Sequence, residues 1–256
     1  MKSDFNHHGR SKVLLIALGF LLLSNMLYAS KKAEDSSYKA IDVCTLSQNI
    51  LKNHILTGMD VTYSNLQEEK ENATKDINEK LTTLSKKKVS KKLHKKIVTL
   101  TKSWSSTEKK LDKKLDKKMA EKVYFEFASF GDSCLQIADE IAKDQKNGLK
   151  NRVSKLNFYV QELTALYFIK SWNVVDEKFY TKEVEKILAS YQTLYDQLIE
   201  TKNISKTTKV ELEKINKLFV TFKFMTTSHS GRYMPTLAAK KAFNINALTS
   251  KILEGK

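Results

Sequence analysis

The stretch "SQNILKNHILTGMDV" (residues 47–61) carries the pattern that decides the fold. Its apolar residues recur every three or four positions, which is the spacing of one buried side of an α-helix. A second stretch, "VQELTALYFIKSWNV" (160–174), aligns with the first without a gap, so that Gln48 matches Gln161 and His54 matches Tyr167. This alignment predicts two tandem units of similar build, unless two amphipathic helices resemble each other by chance.

The composition favours helices throughout. There are seven glycines and one proline in 256 residues, and no segment alternates as a strand would. We predict an all-α fold of tandem up-down four-helix bundle units with about eight helices, the units covering residues 30–147 and 148–256. Helix breaks are expected near 58–60, 85–86, 146–148, 173 and 203–205. The Asn147–Gly148 pair is expected to end a helix in left-handed backbone.

Residues 1–29 have the layout of a secretory signal peptide. Lys2, Arg10 and Lys12 precede the apolar run "VLLIALGFLLL" (13–23), and the small Ala29 follows. The run is shorter than the ~20 apolar residues of a membrane helix. We therefore predict cleavage after Ala29 and export to the periplasm or another outside compartment. The alternative is an uncleaved N-terminal membrane anchor.

The chain is strongly basic, with a formal charge of +16 that becomes +14 without residues 1–29. Residues 86–118, which we predict to be one Lys-rich helix, hold fourteen lysines and three acids. This segment either docks on an anionic surface or is a solvated helix face. Nucleic acid is not the partner that we expect, because the segment lacks arginine. Its one tryptophan also lies on the predicted apolar stripe and not among the lysines. This stripe comprises Val89, Leu93, Ile97, Leu100, Trp104, Leu111 and Leu115.

The sequence contains no motif of catalysis or cofactor binding. It has no phosphate loop, CxxC pair, HExxH or GxSxG, and its histidines after residue 29 lack metal-ligand spacing. We therefore predict a non-catalytic protein without a cofactor or metal. Cys44 and Cys134 fall on apolar stripes of the first and fourth predicted helices. In an exported protein they either form a disulfide or pack as two buried thiols.

The closing segment "GRYMPTLAAKKAFNINALTSKI" (231–252) contains the single proline, Pro235. Proline suits the first turn of a helix, and it forces the preceding Met234 toward extended backbone. We predict a rigid elbow before the last helix. Arg232 then lies beside a helix N-terminus, where it either contacts an anion or braces the turn.

These segments resemble the type IV pili methyl-accepting chemotaxis transducer N-terminal domain, the PilJ/NarX-like sensor domain. Each unit of that family opens with a helix bearing a motif close to "RMLSQRMAK". Here "TLSQNILKNHILTGMDV" (45–61) and "NFYVQELTALYFIKSWNV" (157–174) stand in those places, and 231–252 is similar to the family's closing segment "GRFVPALVA". The residues that match are Leu46, Ser47, Gln48 and Lys52 in the first copy and Gln161 and Tyr167 in the second.

The resemblance implies an exported, stand-alone, sensor-like domain that binds a small ligand, anionic or otherwise, or a protein partner such as a second copy. The arginines that flank LSQ in the family are replaced by Cys44 and Asn49 in the first copy and by Asn157 and Glu162 in the second. Nitrate recognition is therefore not implied. The alternative function is a basic adaptor that docks on anionic lipid, nucleic acid or an acidic protein through residues 86–118. The candidate ligand-binding residues are Ser47, Gln48, Lys52, Asn157, Gln161 and Arg232.

Overall fold

Eight helices and no strands make up the part of the chain that the computed structural model describes, residues 36–142, 148–202, 204–228 and 232–254. The predicted signal peptide lies outside these residues. The all-α fold class and the number of helices are thus confirmed. The helices are α1 (36–58), α2 (Leu66–Ser85), α3 (Lys91–Glu108), α4 (Lys117–Ala142), α5 (Leu149–Ser171), α6 (Glu177–Ile199), α7 (Lys206–Thr227) and α8 (Pro235–Glu254).

Several helices begin where a polar side chain accepts a free backbone N–H of the first turn. Asn65 caps α2, Ser90 caps α3, Asp176 caps α6 and Ser205 caps α7, at N···O distances of 2.7–3.3 Å. Pro235 is the first residue of α8, as the sequence predicts. At this position the missing N–H of proline costs no hydrogen bond.

The turns after α1 and α5 have the same backbone geometry. Asp60 and Asn173, which are equivalent in the alignment of 47–61 with 160–174, both adopt left-handed backbone, with φ of 58° and 56°. Val61 N–H donates to Leu56 O at 2.9 Å, and the equivalent Val174 N–H donates to Ile169 O at 3.2 Å. The two aligned segments thus end in turns of the same geometry, and the division into two units stays a prediction.

Four of the helix connections meet at one end of the molecule. α1 runs antiparallel to α4, since Gln48 Nε2 donates to Phe127 O and Ser37 Oγ donates to Ala138 O. The close approach of Gly58 to Leu115 O and to the Trp172 ring brings three turns together. We call this the elbow end; it comprises residues 59–65, 109–116, 172–176 and 232–234.

The prediction of one Lys-rich helix over residues 86–118 is wrong. α3 covers only Lys91–Glu108, because Ser90 starts it and the chain then turns until Asp116 accepts the N–H groups of Lys118 and Met119 at the start of α4. Leu111 and Leu115 are buried, but they reach the core from the turn. The lysines at 86–96 and at 109–118 therefore lie toward opposite ends of α3, which is about 27 Å long at 1.5 Å per residue.

Gly148 also differs from its prediction. It has extended backbone, with φ of −61° and ψ of 156°, and it precedes α5 as the N-cap residue. It therefore does not end a helix in left-handed backbone. Glycine is acceptable at an N-cap, although it offers no side chain to the first turn.

Helix α5 lies at the centre of the fold. It packs against α4, α6 and α8, and Gln161 on α5 also touches Lys52 on α1. Side chains on every side of α5 are consequently buried, which is the expected pattern for a helix surrounded by other helices. No helix among the described residues is long and apolar enough to cross a membrane.

Candidate functional site

A chain of buried and half-buried polar side chains, the polar seam, joins α1, α5 and α8. Lys52 Nζ lies 3.0 Å from Asn49 Oδ1 and 3.4 Å from Gln161 Oε1. Gln161 Nε2 donates to Asn157 Oδ1 at 3.2 Å and to Ala242 O at 3.3 Å. Asn157 Nδ2 in turn donates to Asn246 Oδ1 at 2.6 Å. The seam therefore links α5 to α1 and α8 through hydrogen bonds between helices.

Lys52 is an unusual member of this seam, because its side chain is only 3% exposed. Burial lowers its pKa to about 8, while the charge of Glu69 acts weakly in the opposite direction. The ammonium group is thus still charged at neutral pH. The oxygens that it contacts belong to the side-chain amides of Asn49 and Gln161. These amides accept hydrogen bonds from the ammonium group but carry no opposite charge.

The structure brings together three of the six predicted ligand-binding residues, namely Lys52, Asn157 and Gln161. The other three lie apart: Ser47 Oγ donates to Cys44 O at 2.7 Å, and Gln48 Nε2 donates to Phe127 O at 3.2 Å. Arg232 is exposed at the elbow end. Each amide of the seam has a partner on a helix, so these contacts are those of a structural network between helices.

A groove that the sequence did not indicate lies between α1, α2 and residues 108–114, with a volume of about 1180 Å³. Two contacts hold residues 108–114 against α2. Lys70 Nζ donates to Leu111 O at 3.0 Å, and Asn78 Nδ2 donates to Glu108 Oε1 at 3.0 Å. Equal numbers of basic and acidic residues line the groove: Lys70, Lys75, Lys113 and Lys114 against Glu71, Glu79, Glu108 and Asp112.

His54 lines this groove from α1 and is only 2% exposed. Its Nε2 has no hydrogen-bond partner among the described residues. Burial and the nearby charge of Lys70 lower its pKa to about 4, so the ring is neutral at physiological pH. A buried polar atom without a partner costs about 1–3 kcal/mol, which makes His54 a candidate contact for a ligand.

The position on α5 that aligns with His54 has a hydrogen-bond partner. Tyr167 is the residue that aligns with His54, and its hydroxyl oxygen accepts the N–H of Met234 at 2.8 Å. Thus the backbone before α8 supplies a hydrogen-bond partner for the hydroxyl of Tyr167. The Nε2 of His54 on α1 has no such partner among the described residues. The sequence alone does not single out His54, because its alignment with Tyr167 becomes informative only through the contact of Tyr167 with Met234.

No protein family model, curated protein or solved structure matches this chain. The likeness to PilJ/NarX-like sensor domains therefore rests on the sequence motifs at 45–61, 157–174 and 231–252. Among the described residues, no group of three or more His, Cys, Asp or Glu side chains could hold a metal ion.

Cys44 and Cys134 are free, buried thiols that lie close together. Burial and the neighbouring Cys134 raise the pKa of Cys44 well above its usual range, and a protonated thiol is a poor nucleophile. We expect neither cysteine to react with a disulfide reagent in the folded protein, and both to react at once in denaturant. Absence of both thiols from denatured protein that was purified in air would show that they form a disulfide.

Glu162 predicts a pH dependence of stability. Burial and the charges of Asp132 and Glu183 raise its pKa to about 8, against the opposing charge of Lys186. The folded protein therefore favours the protonated acid. The resulting contribution to the free energy of unfolding is present in full below the unfolded pKa of about 4.5, and it is lost as the pH rises through 8. The Glu162→Gln variant should match the wild type near pH 4.5 and exceed its unfolding free energy by about 1–3 kcal/mol at pH 9.

Urea titrations of both proteins across this pH range would measure the difference. His54 also titrates in this range, but both proteins contain it, so its contribution cancels in the difference between their unfolding free energies. A difference that stays constant with pH would contradict the raised pKa of Glu162.

Proposed function

We propose that this protein is a non-catalytic, sensor-like helical domain that binds a small polar ligand in the groove of its first unit. One observation carries the proposal: the unpaired Nε2 of His54, nine-tenths or more buried, belongs to a residue that lines a groove of about 1180 Å³. Such a volume lies just above the roughly 300–1,000 Å³ typical of small-molecule sites. The sensor-like motifs in the sequence support the same role.

The charges around the groove define the chemistry of the ligand. Four lysines and four carboxylates line it, so a strongly anionic compound would meet as much repulsion as attraction. A zwitterion such as an amino acid presents both charges and fits this lining better. A neutral imidazole at the wall adds a hydrogen bond without adding charge.

Helix α1 gives the ligand a physical connection to the second unit. His54 lines the groove, and Lys52, two residues earlier on α1, contacts Gln161 of α5. A ligand that shifts α1 would therefore change the polar seam between the units. Export, and a signalling partner or second copy that reads this change, remain part of the proposal through the sequence resemblance.

A thermal-shift screen of amino acids and other small zwitterions on the wild type tests the proposal. A compound at ten times its Kd stabilises the protein by about 1.4 kcal/mol, which raises the Tm of a domain of this size by roughly 3–6 °C. We expect at least one zwitterion to produce such a shift, and inorganic anions to produce less. Absence of any shift at millimolar concentrations would contradict a small-ligand sensor.

The His54→Phe variant locates the site. Phenylalanine keeps an aromatic ring at this position and removes the unpaired nitrogen, so the unfolding free energy of the ligand-free variant should rise by about 1 kcal/mol. The variant should also lose the ligand-induced shift in Tm. His94 is exposed on α3, and His94→Phe should change neither property. If His54→Phe retains the full shift, the ligand binds outside the groove.

A further inference from the structure

The exposed apolar side chains of this protein are concentrated at one end. Among the large apolar residues that are exposed in the described part of the chain, only Val210 lies far from the elbow end. All others belong to that end or to helix positions within about 12 Å of it, at 1.5 Å per residue. They are Met119, Phe125, Val220, Phe224, Tyr233, Met234, Leu237 and Phe243.

The α7–α8 hairpin presents the most exposed of these side chains. Phe224 is 74% exposed and Phe243 is 54% exposed. Lys251 on α8 pairs with Glu211 on α7 at 3.1 Å, and this antiparallel register places Phe224 level with the first turn of α8. Isolated exposed apolar residues are ordinary, but a group at one end of a fold marks an interaction surface.

The same hairpin contains no acidic residue between positions 214 and 253. Lys217, Lys223 and Lys240 are exposed beside the apolar residues. The cations in this stretch are Lys214, Lys217, Lys223, Arg232, Lys240, Lys241 and Lys251. The surface of the hairpin is therefore both apolar and positively charged.

The first unit adds further lysines to the elbow end, and most acids there have internal partners. Lys109, Lys113 and Lys117 are exposed in or beside the turn before α4. Lys114 pairs with Asp60, and Lys170 pairs with Glu177. Asp116 and Asp176 accept backbone N–H groups at the starts of α4 and α6. These carboxylates keep their charge, so the elbow end itself is close to neutral, and the excess positive charge beside it lies on the α7–α8 hairpin.

We propose that the elbow end docks on an anionic lipid bilayer. Phe224, Phe243 and the apolar residues of the elbow enter the boundary between headgroups and acyl chains, while the neighbouring lysines lie among the lipid phosphates. Aromatic and apolar side chains interleaved with lysine are the pattern of interfacial membrane binding. Phe224 and Phe243 are also exposed on the surface of the hairpin and not buried in a pocket, so they can enter a bilayer. This inference does not depend on the ligand groove.

A fluorophore at the hairpin tests the docking directly. Phe224→Cys is labelled with an environment-sensitive dye, and Val210→Cys at the far end of α7 serves as the control. Both variants retain residues 1–29, so attachment through that segment cannot distinguish them. The probes are vesicles of phosphatidylglycerol mixed with phosphatidylcholine, and vesicles of phosphatidylcholine alone.

We expect a blue shift of the dye at position 224 with the anionic vesicles, and none at position 210 or with phosphatidylcholine alone. Lys223→Gln and Lys240→Gln should each weaken vesicle binding about fivefold, whereas Lys91→Gln, at the opposite end, should not. Equal shifts at positions 224 and 210, or no shift at 224, would overturn the proposal. Binding of poly-glutamate without a blue shift on vesicles would also overturn it in favour of an acidic protein partner.

Discussion

Replacing Trp104 with alanine should lower the free energy of unfolding by about 4 kcal/mol, the largest effect that we expect from a single substitution. The indole is 1% exposed and packs against Phe127 and Phe130, at ring-centroid distances of 6.3 and 5.4 Å. Its Nε1 donates to Asn78 Oδ1 at 2.8 Å. Truncating a buried tryptophan typically costs about 3–5 kcal/mol, through the cavity and the lost transfer energy.

The measurement is urea or thermal unfolding followed by circular dichroism. The Tm should fall by roughly 8–16 °C, at about 2–4 °C per kcal/mol for a domain of this size. Trp104→Phe is the matched control, because it keeps most of the apolar volume and loses mainly the hydrogen bond to Asn78. A change of less than about 1 kcal/mol for Trp104→Ala would contradict the packing described for α3 and α4.

Gly58→Ala should destabilise the protein by about 2–3 kcal/mol, although alanine normally favours a helix over glycine by about 1 kcal/mol. A Cβ at this position would lie 2.6 Å from Leu115 O and 2.6 Å from the Trp172 ring. The carbonyl belongs to the backbone, so relief requires the turn before α4 to move. The substitution therefore pushes the end of α1 away from the turn before α4 and from Trp172.

Gly131→Ala provides the comparison within the same protein. Its Cβ would lie 3.0 Å from Gln48 Nε2 and 3.2 Å from the Phe158 ring, and these side chains can shift by a few tenths of an ångström. We expect a cost of about 1 kcal/mol or less for Gly131→Ala. Equal effects of the two substitutions on chemical unfolding would show that the backbone contact at Gly58 carries no special cost.

The helical architecture was predictable from the sequence because it depends on local chemistry. Apolar spacing of three and four residues set the helices, and Pro235 set the start of α8. The alignment of 47–61 with 160–174 predicts a repeat, and the turns that end the two segments, at Asp60 and Asn173, share left-handed backbone. The apolar spacing and Pro235 each act within one helix or one turn, and the alignment compares two such segments.

The errors arose where tertiary contacts decided the outcome. Leu111 and Leu115 continue the helical spacing of α3, so the sequence favoured a single helix over 86–118. The turn instead buries both leucines, and it begins α4 at the Asp116 cap. The groove was not predictable, because it forms only when this turn packs over α2. Gln48 and Arg232 carry suitable groups, but the fold directs them away from the seam.

The contact between Lys52 and Gln161 has a consequence for the order of folding. These side chains are 109 residues apart in the chain, and Ser37 on α1 and Ala138 on α4 are 101 residues apart, whereas consecutive helices close much shorter loops. Forming distant contacts costs more chain entropy and slows folding. Hairpins of consecutive helices should therefore form first, and α1 should join α4 and α5 late. In the native ensemble, the amides of the seam should then exchange with solvent through an opening in which α1 separates from α4 and α5 while the helices persist.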